Sequence, residues 1–305
     1  FIVKRVMSAI PTLLFLVIFS FILMRLAPGG PFTSERALPE QVLANIEAKY
    51  GLDKPWIVQI FDYVKGVVFQ FDFGPSFKYK DRSVNEVLSQ GFSVTLVYGF
   101  WSFVVAIAVG IPLGVAAAIK HNSWLDYLAV GISIGAQVLP NFVMAPILVI
   151  VFTLLLGWLP GGGWNGGQWQ YIIMPVIALS TSYMASIARI ARSSMLEVLH
   201  SNFIRTAKAK GLGTSSIIFK HALKPAMLPV VSYLGPAFVG MITGSVIIDV
   251  YFSTGGMGQY FVSAATNRDY SLLMGATIVF GALTILFNMI ADIVYAWLDP
   301  KIRLA

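Results

Sequence analysis

The sequence has no cysteine and few charged residues. Without cysteine there is no disulfide framework and no thiolate chemistry, and a metal site would need His, Asp or Glu. Charged residues make up 11% of the chain and hydrophobic residues 57%, whereas soluble domains carry roughly 25% charged residues. This balance predicts a polytopic membrane protein.

Motifs for chemistry on this chain are also missing. No G-x-x-x-x-G-K-S/T stretch is present, so the chain lacks that device for nucleotide hydrolysis. His121, His200 and His221 have no partner histidine at i+4, so we predict no metal site. No membrane-buried nucleophile has a base to activate it. We expect no catalytic residue and no enzymatic activity for this chain by itself.

Six apolar segments are about long enough to cross the hydrocarbon core, which takes roughly 20 helical residues. They are Ile10–Leu26, Val94–Ile119, Tyr127–Leu156, Ile172–Ile187, Met227–Val250 and Leu272–Trp297. The first resembles a signal peptide, but its apolar run is too long and lacks a convincing cleavage site. We therefore interpret it as an uncleaved first span of an all-α protein.

The basic residues sort by side of the membrane. Short loops rich in Lys and Arg stay in the cytoplasm, and twelve such residues fall on one side: Lys4, Arg5, Lys120, Arg189, Arg192, Arg205, Lys208, Lys210, Lys220, Lys224, Lys301 and Arg303. The short loops on the opposite side, 158–171 and 251–271, contain only one basic residue, Arg268. This asymmetry predicts that both termini are cytoplasmic. Because the net charge of +7 is not gathered on a soluble domain, we predict no nucleic-acid partner.

The predicted organisation has three parts. Residues 1–27 form the first transmembrane helix, 28–92 a small extracytoplasmic subdomain, and 93–305 a core of five transmembrane helices. Helical spacing of apolar positions occurs at Leu38–Lys49 and Ile57–Phe69 within the subdomain. An irregular tether is the alternative for this segment.

Two features near the spans suggest movement and a pathway. Prolines and glycines inside the spans favour kinked, closely packed helices. Asp249 lies near the outer end of the fifth span, where a carboxyl group is costly and usually faces a cavity or a partner. It could line a pathway or cap a helix at the interface. Asp292, near the inner end of the sixth span, is better explained as an anchor.

A basic segment from Ser201 to Pro225 lies between the fourth and fifth spans. Its pattern predicts a short helix, a glycine break and a second short helix, on the side where a soluble partner would dock. The segment resembles the EAA signature of permease subunits in binding-protein-dependent ABC importers, whose pattern is E-A-A, three residues, a glycine, nine residues and then I-x-L-P. With Gly211 on that glycine, Arg205, Thr206 and Ala207 take the E-A-A positions and Pro225 falls one place late.

The peptide-importing branch of that family shares these departures, having Arg-Thr-Ala-x-Ala-Lys-Gly. It also resembles this sequence at Tyr50-Gly-Leu-Asp-x-Pro55, Asp72-Phe-Gly-Pro-Ser76, Asn267-Arg-Asp-Tyr270 and Asp292-Ile-Val-Tyr-x-x-x-Asp-Pro300. The resemblance covers essentially the whole chain and is greatest to the B-type membrane subunits of oligopeptide permeases. It implies the ABC type I importer permease fold in a bacterial cytoplasmic (inner) membrane.

The resemblance also implies partners. These are a homologous C-type permease subunit, two cytoplasmic ABC ATPase subunits, a periplasmic or lipid-anchored peptide-binding protein, the lipid bilayer and a peptide substrate. ATP and Mg would be bound by the ATPase subunits, and this chain would carry no cofactor. Residues 189–225 would form the coupling loop, whose helix around Thr206–Ser216 sits in a groove of one ATPase subunit.

Three sets of site residues follow from this resemblance. ATPase coupling is assigned to Arg205, Thr206, Ala207, Lys208, Ala209, Lys210, Gly211 and Thr214. The substrate pathway is assigned to Gly235, Pro236, Gly244, Ser245 and Asp249, where a peptide cavity would find room and polar groups. Docking of the binding protein is assigned to Tyr50, Asp53, Asp72, Gly256, Asn267, Arg268 and Asp269.

Other functions stay open at this point. The same architecture would serve for dipeptides, glutathione, murein peptides or nickel chelates as cargo. A secondary transporter driven by ions is a different class, which usually shows inverted repeats or carboxylate relays that this sequence lacks. A membrane scaffold without transport is a further alternative, which the match to the coupling loop disfavours.

Overall fold

The computed structural model describes residues 2–26, 51, 53–79, 81–243 and 245–298. These residues confirm the predicted all-α fold, since the described part has no β structure beyond one isolated bridge between Pro75 and Ser83. The helices are α1 (Ile2–Leu26), α2 (Trp56–Lys65), α3 (Val84–Ile119), α4 (Trp124–Val138), α5 (Asn141–Leu148), α6 (Trp169–Leu199), α7 (Asn202–Ala209), α8 (Thr214–Ser216), α9 (Leu223–Ala226), α10 (Leu228–Thr243), α11 (Val246–Tyr251), α12 (Met257–Thr266) and α13 (Tyr270–Leu298). π-helical segments follow α2, α5 and α8 at Gly66–Gln70, Val149–Leu155 and Ile217–Ala222, and a 3₁₀ turn occupies Asn165–Gly167.

The six apolar segments predicted as spans are mainly helical where the structure describes them, but the third is interrupted at Leu139 and Pro140 and the fifth at Ser245. Four helical stretches are long and apolar enough to cross a membrane, namely Val84–Ile119, Trp169–Leu199, Leu228–Tyr251 and Tyr270–Ile293. A bent pair, Trp124–Val138 with Asn141–Leu155, raises the number to five if it counts as one span. Within α1 the apolar helix Met7–Leu23 is shorter than a full span. The count of six is therefore not fully confirmed.

The third predicted span is broken at Pro140. A residue before proline is pushed out of the helical region, and Leu139 accordingly has φ −77° and ψ 111°. Helices α4 and α5 meet there at a bend of 103°. The kink predicted from the prolines thus becomes a break between two helices.

The predicted extracytoplasmic subdomain is described only in part. The helix predicted at Ile57–Phe69 is confirmed as α2 with its π-helical continuation. The helix predicted at Leu38–Lys49 lies outside the described residues. The predicted boundaries at residues 27 and 92 stay predictions.

By packing, the chain divides into two units. The first comprises Phe1–Val94 and Gly255–Ile285. Its apolar core joins the start of α3 to α12 and α13, with Val84, Val87, Leu88, Met257, Ala264, Leu272 and Ala276 all buried. Val17 of α1, Val67 and Ile278 form a smaller cluster in the same unit.

The second unit comprises Thr95–Thr254 and Leu286–Ala305. Helix α6 is at its centre and packs against α4, α5, α9, α10 and α11. Two glycines, one turn apart on α3, let that helix approach α6 closely. A Cβ at Gly110 would lie 2.8 Å from the carbonyl oxygen of Met184, and one at Gly114 would collide with that of Ala188. Small residues at helix interfaces are typical of packing in membranes.

We expect Gly114→Ala to destabilise the protein, because the added methyl group has no room against the backbone of α6. Overpacking of this kind costs about 1–3 kcal/mol. Gly131→Ala is the matched control, since a Cβ on that exposed glycine of α4 meets nothing within 4 Å. Thermal unfolding of the purified variants measures both. Equal melting temperatures for the two variants would contradict the proposed close contact.

Candidate functional site

The basic loop, residues 201–226, connects α6 to α10 by short helices. Helix α7 ends at Ala209, and Gly211 follows with φ +76°. The Gly211 N–H donates to Lys208 O at 3.0 Å, and the Leu212 N–H donates to Ala207 O at 3.3 Å. These two bonds make a Schellman cap, which requires a left-handed residue and favours glycine. The predicted helix, glycine break and second helix are confirmed.

One face of the basic loop is part of the protein's own core. Ile204 and Ala207, three residues apart on α7, are buried together with Ile217, Ile218 and Ala222. This cluster includes Val115 and Ala118 of α3 and Met195 of α6. The apolar inner face therefore fixes the loop to the helices that carry it.

The other face of the basic loop is exposed. It presents the side chains of Arg205, Thr206, Lys208, Ala209, Lys210 and Thr214, together with Gly211. Ala207 is the exception among the predicted coupling residues, because it points inward and is 8% exposed. Residues 206–216, expected to form the coupling helix, comprise the end of α7, the turn at Gly211 and α8. The assignment of the exposed residues to ATPase coupling stays a prediction.

Asp249 is fully buried in α11. Its Oδ1 accepts a hydrogen bond from Thr254 Oγ1 at 2.8 Å, and its Oδ2 accepts bonds from Ser245 Oγ at 3.0 Å and Thr95 Oγ1 at 3.3 Å. All four side chains are at most 1% exposed. In this conformation the carboxyl group ties α3, α11 and the following loop together instead of facing an open cavity.

The other predicted pathway residues have mixed surroundings. Ser245 belongs to the Asp249 group, and Gly244 lies outside the described residues. A Cβ at Gly235 would collide with the side chain of Ala291, so that glycine serves close packing here. Pro236 is exposed within α10. The structure thus brings only Ser245 and Asp249 into one polar group, and the pathway assignment stays a prediction.

Asp269 is buried within the first unit, and its carboxyl group accepts several hydrogen bonds there. It caps α13, because its Oδ1 accepts the Leu272 N–H at 3.2 Å. The same carboxyl group accepts the Phe77 N–H at 3.1 Å, the Lys78 N–H at 3.3 Å and the hydroxyl of Ser76. Asp269 is 1% exposed. It therefore does not lie on the surface, where docking of a binding protein would need it.

The remaining residues predicted to dock a binding protein differ in their solvent exposure. Asp53, Asp72, Asn267 and Arg268 are exposed, and Gly256 is buried at the start of α12. Asp72 accepts the Gly74 N–H at 2.8 Å. Tyr50 lies outside the described residues. Docking by the exposed members stays a prediction.

One polar cluster was not predicted from the sequence. Asp126, at the start of α4, is 2% exposed and accepts two hydrogen bonds from Arg192 of α6, at 2.5 Å from Nε and 2.8 Å from Nη2. His121 Nδ1 lies 3.1 Å from Asp126 Oδ2. The cluster pins the loop between α3 and α4 to α6. An acidic residue in a first helical turn was the available signal, but no sequence pattern indicates its partner 66 residues away.

Two family models match this chain. The model described as "Binding-protein-dependent transport system inner membrane component" matches residues 110–304, and the model of its N-terminal part matches residues 1–96. This chain belongs to that family of inner-membrane transport components. It is accordingly a multi-pass protein of the inner membrane, and the resemblance found in the sequence is confirmed.

Curated relatives match over nearly the whole length. The oligopeptide transport system permease protein of Haemophilus influenzae is 57% identical over 99% of each chain. The dipeptide transport system permease protein of Bacillus subtilis is 40% identical over 100% of this chain and 98% of its own length. Among solved structures, the inward-facing MetNI methionine ABC transporter matches 70% of this chain and 96% of its own chain, with a TM-score of 0.60 and 17% identity. That likeness shows a shared fold.

We expect Asp249→Leu to lower the melting temperature more than Asp249→Asn. Leucine has the same branching but removes the acceptor that Asp249 provides to Thr95, Ser245 and Thr254, and loss of the acceptor of a buried donor costs about 1–3 kcal/mol. Asparagine keeps one carbonyl oxygen as an acceptor. Thermal unfolding compares the two, and substrate uptake in the same preparations separates the roles. Loss of uptake in a fully stable Asp249→Asn variant would favour a pathway role over the structural one.

We expect Asp269→Ala to loosen the segment around Ser76 and the start of α13, because four hydrogen bonds to this carboxyl group are lost and the Lys78 N–H retains only the Ser76 hydroxyl oxygen, at 3.2 Å, as acceptor. Loss of a helix cap alone costs about 0.5–2 kcal/mol. Hydrogen exchange measured by mass spectrometry would show faster exchange at the Phe77, Lys78 and Leu272 amides. The exposed Asp53→Ala is the control. Unchanged exchange at those three amides would refute this structural role.

Proposed function

We propose that this protein is a membrane-spanning permease subunit of an ATP-driven, binding-protein-dependent importer, in which it forms half of the translocation pathway for oligopeptides. The cargo follows the names of the relatives that are 56–57% identical over 99% of the chain. In this role it is not an enzyme by itself, because the energy comes from ATP hydrolysis on other subunits.

The observation that carries the proposal is the two-sided basic loop. Its inner face is buried with residues of α3 and α6, and its outer face presents cations and the capping Gly211 at the position of the family's glycine. Only His200 and Ser201 separate α6 from α7. A partner that moves α7 would therefore move α6, the central helix of this unit.

The proposed complex follows from this role. A homologous C-type permease subunit completes the pathway, and two cytoplasmic ATPase subunits bind ATP and Mg. One of them receives Arg205, Thr206, Lys208, Ala209, Lys210, Gly211 and Thr214 of the basic loop. A periplasmic or lipid-anchored binding protein delivers peptide to the opposite side, where Asp53, Asp72, Asn267 and Arg268 are the exposed candidates. Both termini are then cytoplasmic.

Dipeptides are the second candidate cargo. The dipeptide permease of Bacillus subtilis aligns with the whole of this chain at 40% identity, so membrane subunits of this kind serve peptides of different length. The measurement that distinguishes the cargoes is uptake of a labelled oligopeptide by proteoliposomes of the intact complex with its binding protein. Uptake of the labelled oligopeptide but not of a labelled dipeptide supports the first cargo, and uptake of the labelled dipeptide alone supports the second.

The test of coupling uses two glycines of the same turn. A Cβ at Gly211 or at Gly213 meets nothing within 4 Å, but only Gly211 has a positive φ, at +76°, whereas Gly213 has φ −66°. We expect Gly211→Val to lower peptide uptake about tenfold, because a left-handed conformation costs about 1–2 kcal/mol for a side-chain-bearing residue and the turn must rearrange. Gly213→Val should transport normally.

Uptake and peptide-stimulated ATPase activity are measured together in these proteoliposomes. An assembled Gly211→Val complex that no longer couples hydrolysis to uptake supports transmission through the loop. Normal coupled uptake by that variant would refute the role of the turn. Transport driven by an ion gradient without any ATPase subunit would refute the importer itself.

A further inference from the structure

A cavity of about 250 Å³ opens between α3, α4 and α6. Most of its lining is apolar or small, with Leu113 and Ala117 from α3 and Ala129, Val130 and Ile134 from α4. The Ser133 hydroxyl in the lining is already satisfied, because it donates to Ala129 O at 2.8 Å. Sites for drug-sized ligands have about 300–1,000 Å³, so this space suits a slender apolar group better than a peptide.

Two cations from α6 border the cavity, and they differ in their partners. Arg192 is held by both carboxylate oxygens of Asp126. Arg189, one turn earlier, is exposed, and its side chain makes no hydrogen bond or ion pair with the part of the chain that the structure describes. The cavity therefore joins an apolar interior to one guanidinium group that lacks a counter-charge.

The position of Arg189 along the membrane normal can be judged from the sequence. The apolar segment Ile172–Ile187 ends two residues before it, so Arg189 lies at the end of the hydrocarbon core. Helix α4 begins nearby with Trp124 and Tyr127, which are 71% and 69% exposed. Exposed Trp and Tyr mark the level of lipid headgroups. Basic pockets between transmembrane helices at this level bind anionic headgroups.

We propose that this cavity is a binding site for an anionic phospholipid, whose phosphate pairs with Arg189 and whose acyl chain enters between α3, α4 and α6. A guanidinium group binds phosphate through two parallel hydrogen bonds, which makes arginine well suited to this contact. The apolar walls then bury methylene groups, which stabilises the bound chain. The site is separate from the basic loop and does not depend on the cargo.

The test is native mass spectrometry of the intact transport complex in nanodiscs that contain phosphatidylglycerol or phosphatidylcholine. We expect retention of one phosphatidylglycerol, and about a tenfold loss of retention in Arg189→Gln, because the neutral amide cannot make the charge-assisted pair with the phosphate. Val130→Phe should also lower retention, because the larger side chain at this half-buried position would fill part of the cavity. Lys220→Gln, which removes an exposed cation of the basic loop, is the control and should bind normally.

Several results would overturn the proposal. Equal retention of phosphatidylglycerol by Arg189→Gln and by the unchanged protein would refute the headgroup contact. Equal retention of phosphatidylcholine and phosphatidylglycerol would refute it as well. Displacement of the lipid by inorganic phosphate alone would indicate an anion site without an acyl chain. Because the chain has no cysteine, Val130→Cys provides a single thiol, and its efficient cross-linking to another subunit would show that protein fills the cavity.

Discussion

The structure depends on satisfying carboxyl groups that are buried in an apolar chain. A buried polar group without hydrogen-bond partners is costly, and within a bilayer no water replaces the missing partner. Asp249 meets this constraint with three hydroxyl groups from its own unit. Asp269 meets it with backbone amides and the hydroxyl of Ser76. Each carboxyl group thereby joins segments that are distant in sequence, and neither is available as a surface charge.

The basic loop separates its charged residues from its apolar ones. Charge is concentrated on its outer face, and its inner face continues the apolar core through Ile204 and Ala207. Gly211 closes α7 without using any side chain, because a Schellman cap is made by backbone bonds. The loop is therefore packed against α3 and α6 while it leaves its cations exposed.

The sequence predicted well those features that repeat locally. Apolar runs located the helices, and the glycine at 211 located the break in the basic loop. Contacts between distant residues could not be predicted in this way. The inward orientation of Ala207, the burial of Asp269 and the pairing of Asp126 with Arg192 all depend on which helices become neighbours. The break at Leu139–Pro140 was signalled by proline, but its bend of 103° depends on how α5 packs against α6.

The alternation of inward and outward residues along α7 also bears on how such proteins diverge. Folding depends on Ile204 and Ala207, whereas Arg205, Lys208 and Lys210 contribute no buried contact. Substitutions at the three cationic positions are consequently close to neutral for folding. The charge pattern of this outer face can therefore change with no compensating change in the membrane core.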